Sequence, residues 1–301
     1  MRLDRPMSIV MATPDVVELR EAVAALRDWQ HDRAPMQLHP GDLGFHWRDG
    51  PETTAAALRV WSRAERVLAV GLLDGPQLLR MAIDPQLQGD EGLIHRLLVD
   101  ITQPVRGVLG PGGAVVEARC GELLSQLLID QGWQYDEPWT LCHRDLSDPV
   151  VDCGLRIETI GPDRAHVWVG VQWSAFRGST MTDEDRKPAV DRWRAMADSA
   201  PYAEARCLAA FDEQDNAVAV VAVWSAGRGR PGLLEPMGVH SEHRGHSYGK
   251  AITVAAAAAL REMGSSSAIV CAESSNVGAV ATYASAGFSP FSDVCDFRRR
   301  A

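Results

Sequence analysis

The residues best suited to chemistry lie in the segment 233–250, where an apolar run passes into a loop of small and basic residues. The run Leu233 to Val239 predicts a β-strand, and the alanine-rich stretch from Ala251 to Leu260 predicts a helix. Small residues let a backbone approach a phosphate closely, and the free N–H groups of a helix's first turn bind anions. The segment therefore predicts a cradle for a phosphate or diphosphate.

The spacing of the small residues separates this loop from two common phosphate-binding motifs. Neither the P-loop pattern ending in Gly-Lys-Ser/Thr nor the dinucleotide pattern GxGxxG is present. The loop reads Arg244-x-x-Ser247-x-Gly249, which is close to Arg/Gln-x-x-Gly-x-Gly/Ala. Further along, Asn276 opens the pattern N-x-x-A-x-x-x-Y-x-x-x-G-F, whose tyrosine is Tyr283.

With these two motifs in this order, the chain resembles the GNAT acyltransferase superfamily. The resemblance implies that the loop holds the pyrophosphate of acetyl-coenzyme A and that the second motif forms a helix beside it. Ser247 departs from the pattern, since the family usually has its first motif glycine there, but serine is small and its hydroxyl is itself a donor. The implied cofactor-binding set is Met237, Gly238, Val239, Arg244, Gly245, His246, Ser247, Tyr248, Gly249, Lys250, Asn276 and Tyr283.

The resemblance also implies catalytic roles. Transfer of an acetyl group to an amine needs a base for the amine and a proton for the departing thiolate. Tyr283 matches the family's tyrosine, the general acid, and Glu235 lies where several members carry the glutamate that deprotonates the amine. The alternatives to these catalytic roles are structural: Tyr283 would be a core residue and Glu235 a solvated one. Gly238 is expected to loosen the strand and allow close approach of the ligand.

Two further clusters need weighing. The row His240, His243 and His246 has no carboxylate or cysteine at zinc spacing, so we expect no metal site. Aromatic residues ahead of the loop either wall the acceptor pocket or form core, and Arg177 either belongs to that wall or meets an acceptor carboxylate. These aromatic residues are Trp173, Phe176, Trp193 and Tyr202.

Composition indicates a globular chain of two domains. The chain has 301 residues, 46% of them hydrophobic, and a net charge of −10, which argues against a nucleic-acid partner. No apolar run approaches the ~20 residues that cross a bilayer. Six scattered cysteines without a CxxC pair favour reduced thiols and a cytoplasmic location. The partner we expect is a small amine, with no nucleic acid and no membrane; a homodimer stays open.

The order of predicted elements repeats once along the chain. Sliding one half on the other by about 155 residues aligns Gly132-Trp133 with Gly287-Phe288 and Gly89 with Gly245. The predicted fold is α/β (α+β), with two tandem GNAT-like domains, each a mixed, mostly antiparallel sheet flanked by helices. We place the domains at 1–147 and 148–301. In the first, Asp90 and Glu91 stand at the cradle and Leu128 replaces the tyrosine, so we expect that domain to be degenerate.

The predicted function is transfer of an acetyl group from acetyl-CoA to a small-molecule primary amine by direct attack in the second domain. Two alternatives stay open. One is a binding or regulatory module of the same fold that senses acyl-CoA without turnover. The other is an enzyme that acts on the amine of a thiol-sugar, as the tandem mycothiol synthases do. The sequence names neither the acceptor nor the acyl length.

Overall fold

A computed structural model describes residues 8–301 of the chain. Its helices and strands are interspersed along the whole described chain. Up to Asp145 the elements are β1 (Val10–Ala12), α1 (Leu19–Trp29), α2 (Pro40–His46), α3 (Pro51–Ala57), β2 (Leu58–Arg63), β3 (Arg66–Leu73), β4 (Leu78–Ile83), α4 (Glu91–Thr102), β5 (Ala114–Glu117), α5 (Glu122–Asp130) and β6 (Gln134–Asp145). From there they are β7 (Arg156–Thr159), α6 (Ala165–Arg177), α7 (Asp183–Ala197), β8 (Ala205–Phe211), β9 (Ala217–Ser225), β10 (Gly232–Val239), α8 (Tyr248–Glu262), β11 (Ser267–Glu273), α9 (Val277–Ser285) and β12 (Ser289–Arg299).

The described residues form two compact units whose boundaries differ from the single division predicted at 147–148. The first unit contains residues 8–39 with Pro51–Pro138 and Val294–Ala301, and the second contains Pro40–Gly50 with Trp139–Asp293. A short piece of the first half of the chain therefore belongs to the second unit.

That piece, Pro40–Gly50, lies in a polar stretch rich in proline and glycine, 31–52, whose composition alone predicts a loop. It forms α2 and a short 3₁₀ turn, Trp47–Asp49. Gly44 lies so close to Trp224 that a Cβ at this position would be 2.3 Å from the indole Cζ3. Because the helix packs through a glycine rather than through a stripe of large apolar residues, it lacks the periodicity by which a helix is recognised.

The second unit is a mixed, mostly antiparallel sheet flanked by helices. Strands β7, β8, β9 and β10 are antiparallel neighbours, β10 and β11 are parallel, and β11 is antiparallel to β6. Helix α8 packs on this sheet with small side chains, since Ala255, Ala256 and Ala259 are all buried in the core. Alanines allow a close approach of the helix to the sheet, which sets its first turn near the end of β10.

The first unit has the same kind of sheet. Strands β1 to β4 are antiparallel neighbours, β4 and β5 are parallel, and β5 is antiparallel to the end of β12. In α4 of this unit, the Asp100 carboxylate is fully buried. It accepts hydrogen bonds from Arg96 Nε at 2.6 Å, Arg106 Nε at 2.7 Å and Trp61 Nε1 at 2.9 Å. The mixed strand pairing and flanking helices of each unit confirm the predicted α/β fold class.

The predicted duplication is visible in matching details of the two units. Helices α5 and α9 have the same length and end in the same way, at Gly132 and Gly287, which have φ of 85° and 84°. After each glycine an aromatic residue donates its backbone N–H back into the helix, Trp133 to Leu128 O and Phe288 to Tyr283 O, each at 3.1 Å. A glycine is favoured at this left-handed position because it has no Cβ. No helix within residues 8–301 is long and apolar enough to span a membrane.

Candidate functional site

Strand β10 carries an irregularity at Glu235 and Pro236. Leu234 pairs with Val223 and Met237 with Val221, so one extra residue of β10 is bulged out against β9. On its other side β10 pairs with β11 only at Gly232 and Leu233. A bulge re-aims side chains and ends regular pairing. Beyond Leu233 the backbones of β10 and β11 therefore run without a ladder between them.

The loop after β10 brings an uncapped helix end to this opening. Ser247, at the N-cap of α8, has φ of 63° and its side chain makes no capping hydrogen bond. Within the described chain, the backbone N–H groups of Tyr248, Gly249 and Lys250 have no acceptor. Arg244 Nη2 donates to Ala175 O at 2.8 Å, which fastens the loop to α6.

The charge of this helix end is unusual. The first turn of α8 contains Lys250 and no acidic residue. A cation here opposes the helix dipole and costs about 0.3–1 kcal/mol unless an anion lies beside it. Lys250 is one of only two lysines in the chain. Three unpaired N–H groups and a lysine make this end a site for a negatively charged group.

A cavity of about 970 Å³ lies over this helix end. It contains most of the set predicted from the sequence, together with residues of α6 and α9. The predicted residues that line it are Met237, Gly238, Val239, Arg244, Gly245, Ser247, Tyr248, Gly249, Lys250 and Asn276.

Two predicted residues lie elsewhere. His246 lines a neighbouring cavity with Lys250 and stacks on Tyr248, with ring centroids 5.7 Å apart. Tyr283 is buried among the core residues of the second unit, 6% exposed. The Oδ1 atom of Asn276 accepts from Ala279 N at 3.1 Å, so Asn276 caps α9 as well as lining the cavity.

The glycine at 238 has a packing cause. A Cβ here would lie 2.6 Å from Ala175 Cβ and 3.4 Å from Phe176 Cε2, both on α6. Only a residue without a side chain lets α6 approach the strand this closely. The structure thus gives helix packing as one reason for Gly238, and the predicted close approach of a ligand stays a prediction.

Tyr283 is the one buried residue of α9. Burial raises the pKa of its hydroxyl above the usual value, and the Cys271 and Cys142 thiols and the Glu235 carboxylate raise it further. The group therefore stays protonated throughout the neutral range, as a proton donor must. In the described chain the hydroxyl donates to no other group, and the ring packs against Phe288 with centroids 6.3 Å apart.

A second cavity, of about 410 Å³, contains Glu235 and Pro236. Helices α6 and α7 form its walls and contribute Trp173, Phe176, Arg177 and Trp193, residues that the sequence left open between pocket and core. Tyr202, the other member of that group, does not line the cavity and instead packs edge-on against Trp193 and Trp224.

Phe45 and Arg48 also line this cavity, and sequence reasoning missed both. They come from Pro40–Gly50, and Asp49 of the same piece binds Arg192 of α7 at 2.5 Å. Aromatic residues are concentrated in Phe45-His46-Trp47 within an otherwise polar stretch, and this was the signal available in the sequence.

The first unit lacks each of these features. Strand β4 pairs with β3 without a bulge, and an ion pair between Arg80 Nε and Glu117 Oε2, 3.1 Å long, joins β4 to β5. Asp90 caps α4 by accepting from Leu93 N at 2.8 Å, so its own carboxylate occupies the helix end. Leu128, in place of the tyrosine, is fully buried. An anion has no site at this helix end.

The histidines of the row make contacts within their own loop. His240 and His243 pack edge-on with centroids 5.2 Å apart, and His246 Nδ1 lies 2.9 Å from Arg244 O. Among residues 8–301 no group of three or more histidine, cysteine or acidic side chains converges as metal ligands would. Burial, and next to it His243, lowers the pKa of His240, so His240 is mostly neutral at pH 7.

Replacing Ser247 by glycine is expected to stabilise the protein by about 0.5 kcal/mol. Release of the left-handed strain, about 1 kcal/mol for a non-glycine residue, exceeds the added entropy of the unfolded chain. Urea denaturation measures the difference. Ser247→Ala is the control, since alanine keeps the strain. A glycine variant no more stable than the alanine variant would contradict the explanation.

Part of this chain matches a known family in sequence, and the chain is similar in fold to several solved structures. Residues 169–288 match the family model described as Acetyltransferase (GNAT) family. A search of curated proteins finds no matching sequence.

Among solved structures, a tandem GNAT protein from the clavulanic acid biosynthesis pathway is 15% identical with a TM-score of 0.63, covering 97% of this chain and 98% of its own. A GNAT-family acetyltransferase from Colwellia psychrerythraea is 15% identical with a TM-score of 0.59 and the same coverage. A GCN5-related N-acetyltransferase from Sphaerobacter thermophilus is 18% identical with a TM-score of 0.53, covering 97% of this chain and 95% of its own. At these identities the likeness is one of fold.

Proposed function

We propose, from the premise that the second half of this chain is a domain of the GNAT acetyltransferase family, that the protein transfers the acetyl group of acetyl-CoA to a primary amine of a small molecule. The observation that carries the proposal is the meeting of two cavities along one strand. Glu235 and Pro236 line one cavity, Met237 lines the other, and Phe176 lines both. A donor on one side and an amine on the other would meet at the bulge of β10.

The larger cavity suits the phosphate end of acetyl-CoA. The free N–H groups at the start of α8 and the ammonium group of Lys250 would hold the diphosphate, as helix ends hold phosphate generally. The backbone N–H groups of Met237 and Val239 are the candidates for the pantetheine arm and the acetyl carbonyl, because β11 does not pair with this part of β10. Acetyl-CoA supplies the activated acyl group.

Chemistry is assigned to two side chains. The carboxylate of Glu235, directly or through a water, takes a proton from the substrate ammonium, and the freed nitrogen attacks the acyl carbon. As the carbon–sulfur bond breaks, Tyr283 gives its proton to the leaving sulfur, and the nitrogen loses its second proton to solvent. The products are an amide and a free thiol. Tyr283 regains one proton from water and Glu235 releases to solvent the proton that it took, so each turnover releases one proton overall.

Reversing the charge of Lys250 tests the cofactor site. Lys250→Glu is expected to weaken acetyl-CoA binding about tenfold or more, because it exchanges attraction for repulsion at the diphosphate. Lys187→Glu is the matched control: Lys187 is the other lysine, exposed on α7 and paired with Asp191 at 2.7 Å. Calorimetric titration measures both, with salt held constant.

The outcomes separate the alternatives. Equal loss of affinity in the two variants would contradict the assignment of Lys250, and absence of acetyl-CoA binding by the unaltered protein would contradict the proposed function. Binding without release of free thiol, across a panel of amines, would instead indicate a module that senses acyl-CoA.

A further inference from the structure

The cavity beside Glu235 is rich in positive charge in a chain whose net charge is −10. Three arginines line it, Arg48, Arg177 and Arg192. The acidic groups at the cavity are Glu235 and, beside the arginines, Asp49, so the arginines outnumber the carboxylates there. A site that received only a cationic amine would be expected to have the opposite balance.

Arg177 differs from the other two arginines. Arg192 binds Asp49 at 2.5 Å, and Arg48 Nε lies 3.7 Å from the other oxygen of the same carboxylate. Arg177 instead lies over the ring of Trp173, with its guanidinium carbon 4.2 Å from the centroid. No carboxylate in residues 8–301 forms an ion pair with it. Its planar donors remain available for a bidentate contact with a carboxylate.

The same tryptophan presents a second unused donor. Trp173 Nε1 is buried and has no hydrogen-bond partner in the described chain. A buried N–H group without an acceptor costs about 1–3 kcal/mol, so such donors are normally satisfied. Trp173 and Arg177 both line the cavity and lie in contact. A carboxylate held by the Arg177 guanidinium would therefore lie beside the Trp173 indole, whose N–H group has no other acceptor in the described chain.

Much of the remaining lining is aromatic, beside Val169, Ala189 and one polar side chain, Gln172. Trp168, Trp193 and Phe45 line the cavity along with Met196. Its volume of about 410 Å³ lies at the lower end of the range for small-molecule sites. An apolar side chain of moderate size would fill the space between the aromatic walls and keep water from Glu235.

We infer that the acceptor is an amino acid with an apolar side chain, its carboxylate held by Arg177 and the Trp173 indole and its amine directed to Glu235. The inference rests on the proposed function for the reaction, but the binding mode is a property of the cavity alone. Recognition of a carboxylate two bonds from the reacting nitrogen would exclude simple amines that lack one.

The experiment compares L-phenylalanine with L-phenylalaninamide, which has the same ring and amine but no carboxylate. Tryptophan fluorescence reports binding directly, since Trp168, Trp173 and Trp193 line the cavity. L-Phenylalanine is expected to bind about tenfold more tightly than the amide, the size of one charge-assisted contact. The leucine pair of acid and amide extends the comparison.

Substitutions of Arg177 test whether this residue causes the preference for the acid over the amide. Arg177→Met is expected to bring the ratio of the affinities for L-phenylalanine and its amide close to one. Arg177→Lys is expected to restore part of the ratio, because lysine keeps the charge but lacks the paired donors of the guanidinium. Arg186→Met is the control, an exposed arginine of α7 whose partner is Asp183 at 3.5 Å, outside the cavity. It should leave the ratio unchanged.

Three results would overturn the inference: amides that bind as tightly as the acids, an Arg177→Met variant that keeps the ratio, or no saturable binding of any of the probes. Each is read without acetyl-CoA. Loss of acetyl-CoA binding or of thiol release contradicts the proposed function instead, so the two failures are distinguishable.

Discussion

Tyr283→Phe is expected to lower kcat about a hundredfold or more while the Kd for acetyl-CoA changes little. The variant removes only the hydroxyl, which in our proposal protonates the departing sulfur. Because that hydroxyl donates to no group within residues 8–301, phenylalanine should also leave the free energy of unfolding nearly unchanged. The buried ring keeps its contact with Phe288.

Free-thiol release under saturating amine measures kcat, and calorimetry measures Kd. Tyr135→Phe is the control, an exposed tyrosine of β6 that belongs to the first unit. Since the pKa of Tyr283 is raised, its proton stays in place up to and beyond the usual tyrosine range near pH 10. A variant with unchanged kcat would remove Tyr283 from the mechanism.

Asp100→Asn is expected to destabilise the first unit by about 3 kcal/mol or more, because it takes the charge from a buried carboxylate that two arginines share. Burial by itself raises the pKa of Asp100, but hydrogen bonds from Arg96, Trp61 and Arg106 outweigh it, so the pKa is lowered. The contribution of Asp100 to the free energy of unfolding is therefore fully present above the usual aspartate pKa. It is lost as the pH falls through the lower pKa that Asp100 has in the folded protein.

Urea denaturation at neutral pH measures the loss, and repeating it at acid pH should shrink the difference between the two proteins. Asp183→Asn is the matched control, since Asp183 is fully exposed in its pair with Arg186. That change should stay within about 0.5 kcal/mol. An Asp100 variant as stable as the control variant would mean that the ion pairs and hydrogen bonds of Asp100 contribute nothing net to the free energy of unfolding.

The parts of the site that were predictable are those encoded by short local patterns. In the loop from Arg244 to Lys250 and in the helix containing Tyr283, the residues that identify each motif lie close together in sequence. The structure brings most of the predicted cofactor-binding set to one cavity. The fold class was predictable for a related reason: hydrophobic periodicity identifies the strands and helices locally, and their order occurs twice along the chain.

What was missed depends on contacts between distant residues. The start of α7 is an exception, because it follows from local residues. Pro188 is typical of a helix's first turn, yet α7 begins at Asp183, with Thr182 Oγ1 accepting from Asp185 N at 3.2 Å. Phe45 and Arg48 could not be assigned to the site, because their position follows from the packing of Gly44 on Trp224.

That glycine contact limits how the chain can be divided. A fragment that starts at residue 148 would retain the helix end, the bulged strand and Tyr283, yet would lack Pro40–Gly50 and so lose Phe45 and Arg48 from the acceptor cavity. Because this piece of the second unit lies within the sequence of the first, the first unit cannot be removed as one continuous segment without removing it. In our proposal, exchange of these eleven residues alone, from Pro40 to Gly50, would alter the choice of acceptor and leave Glu235 and Tyr283 unchanged.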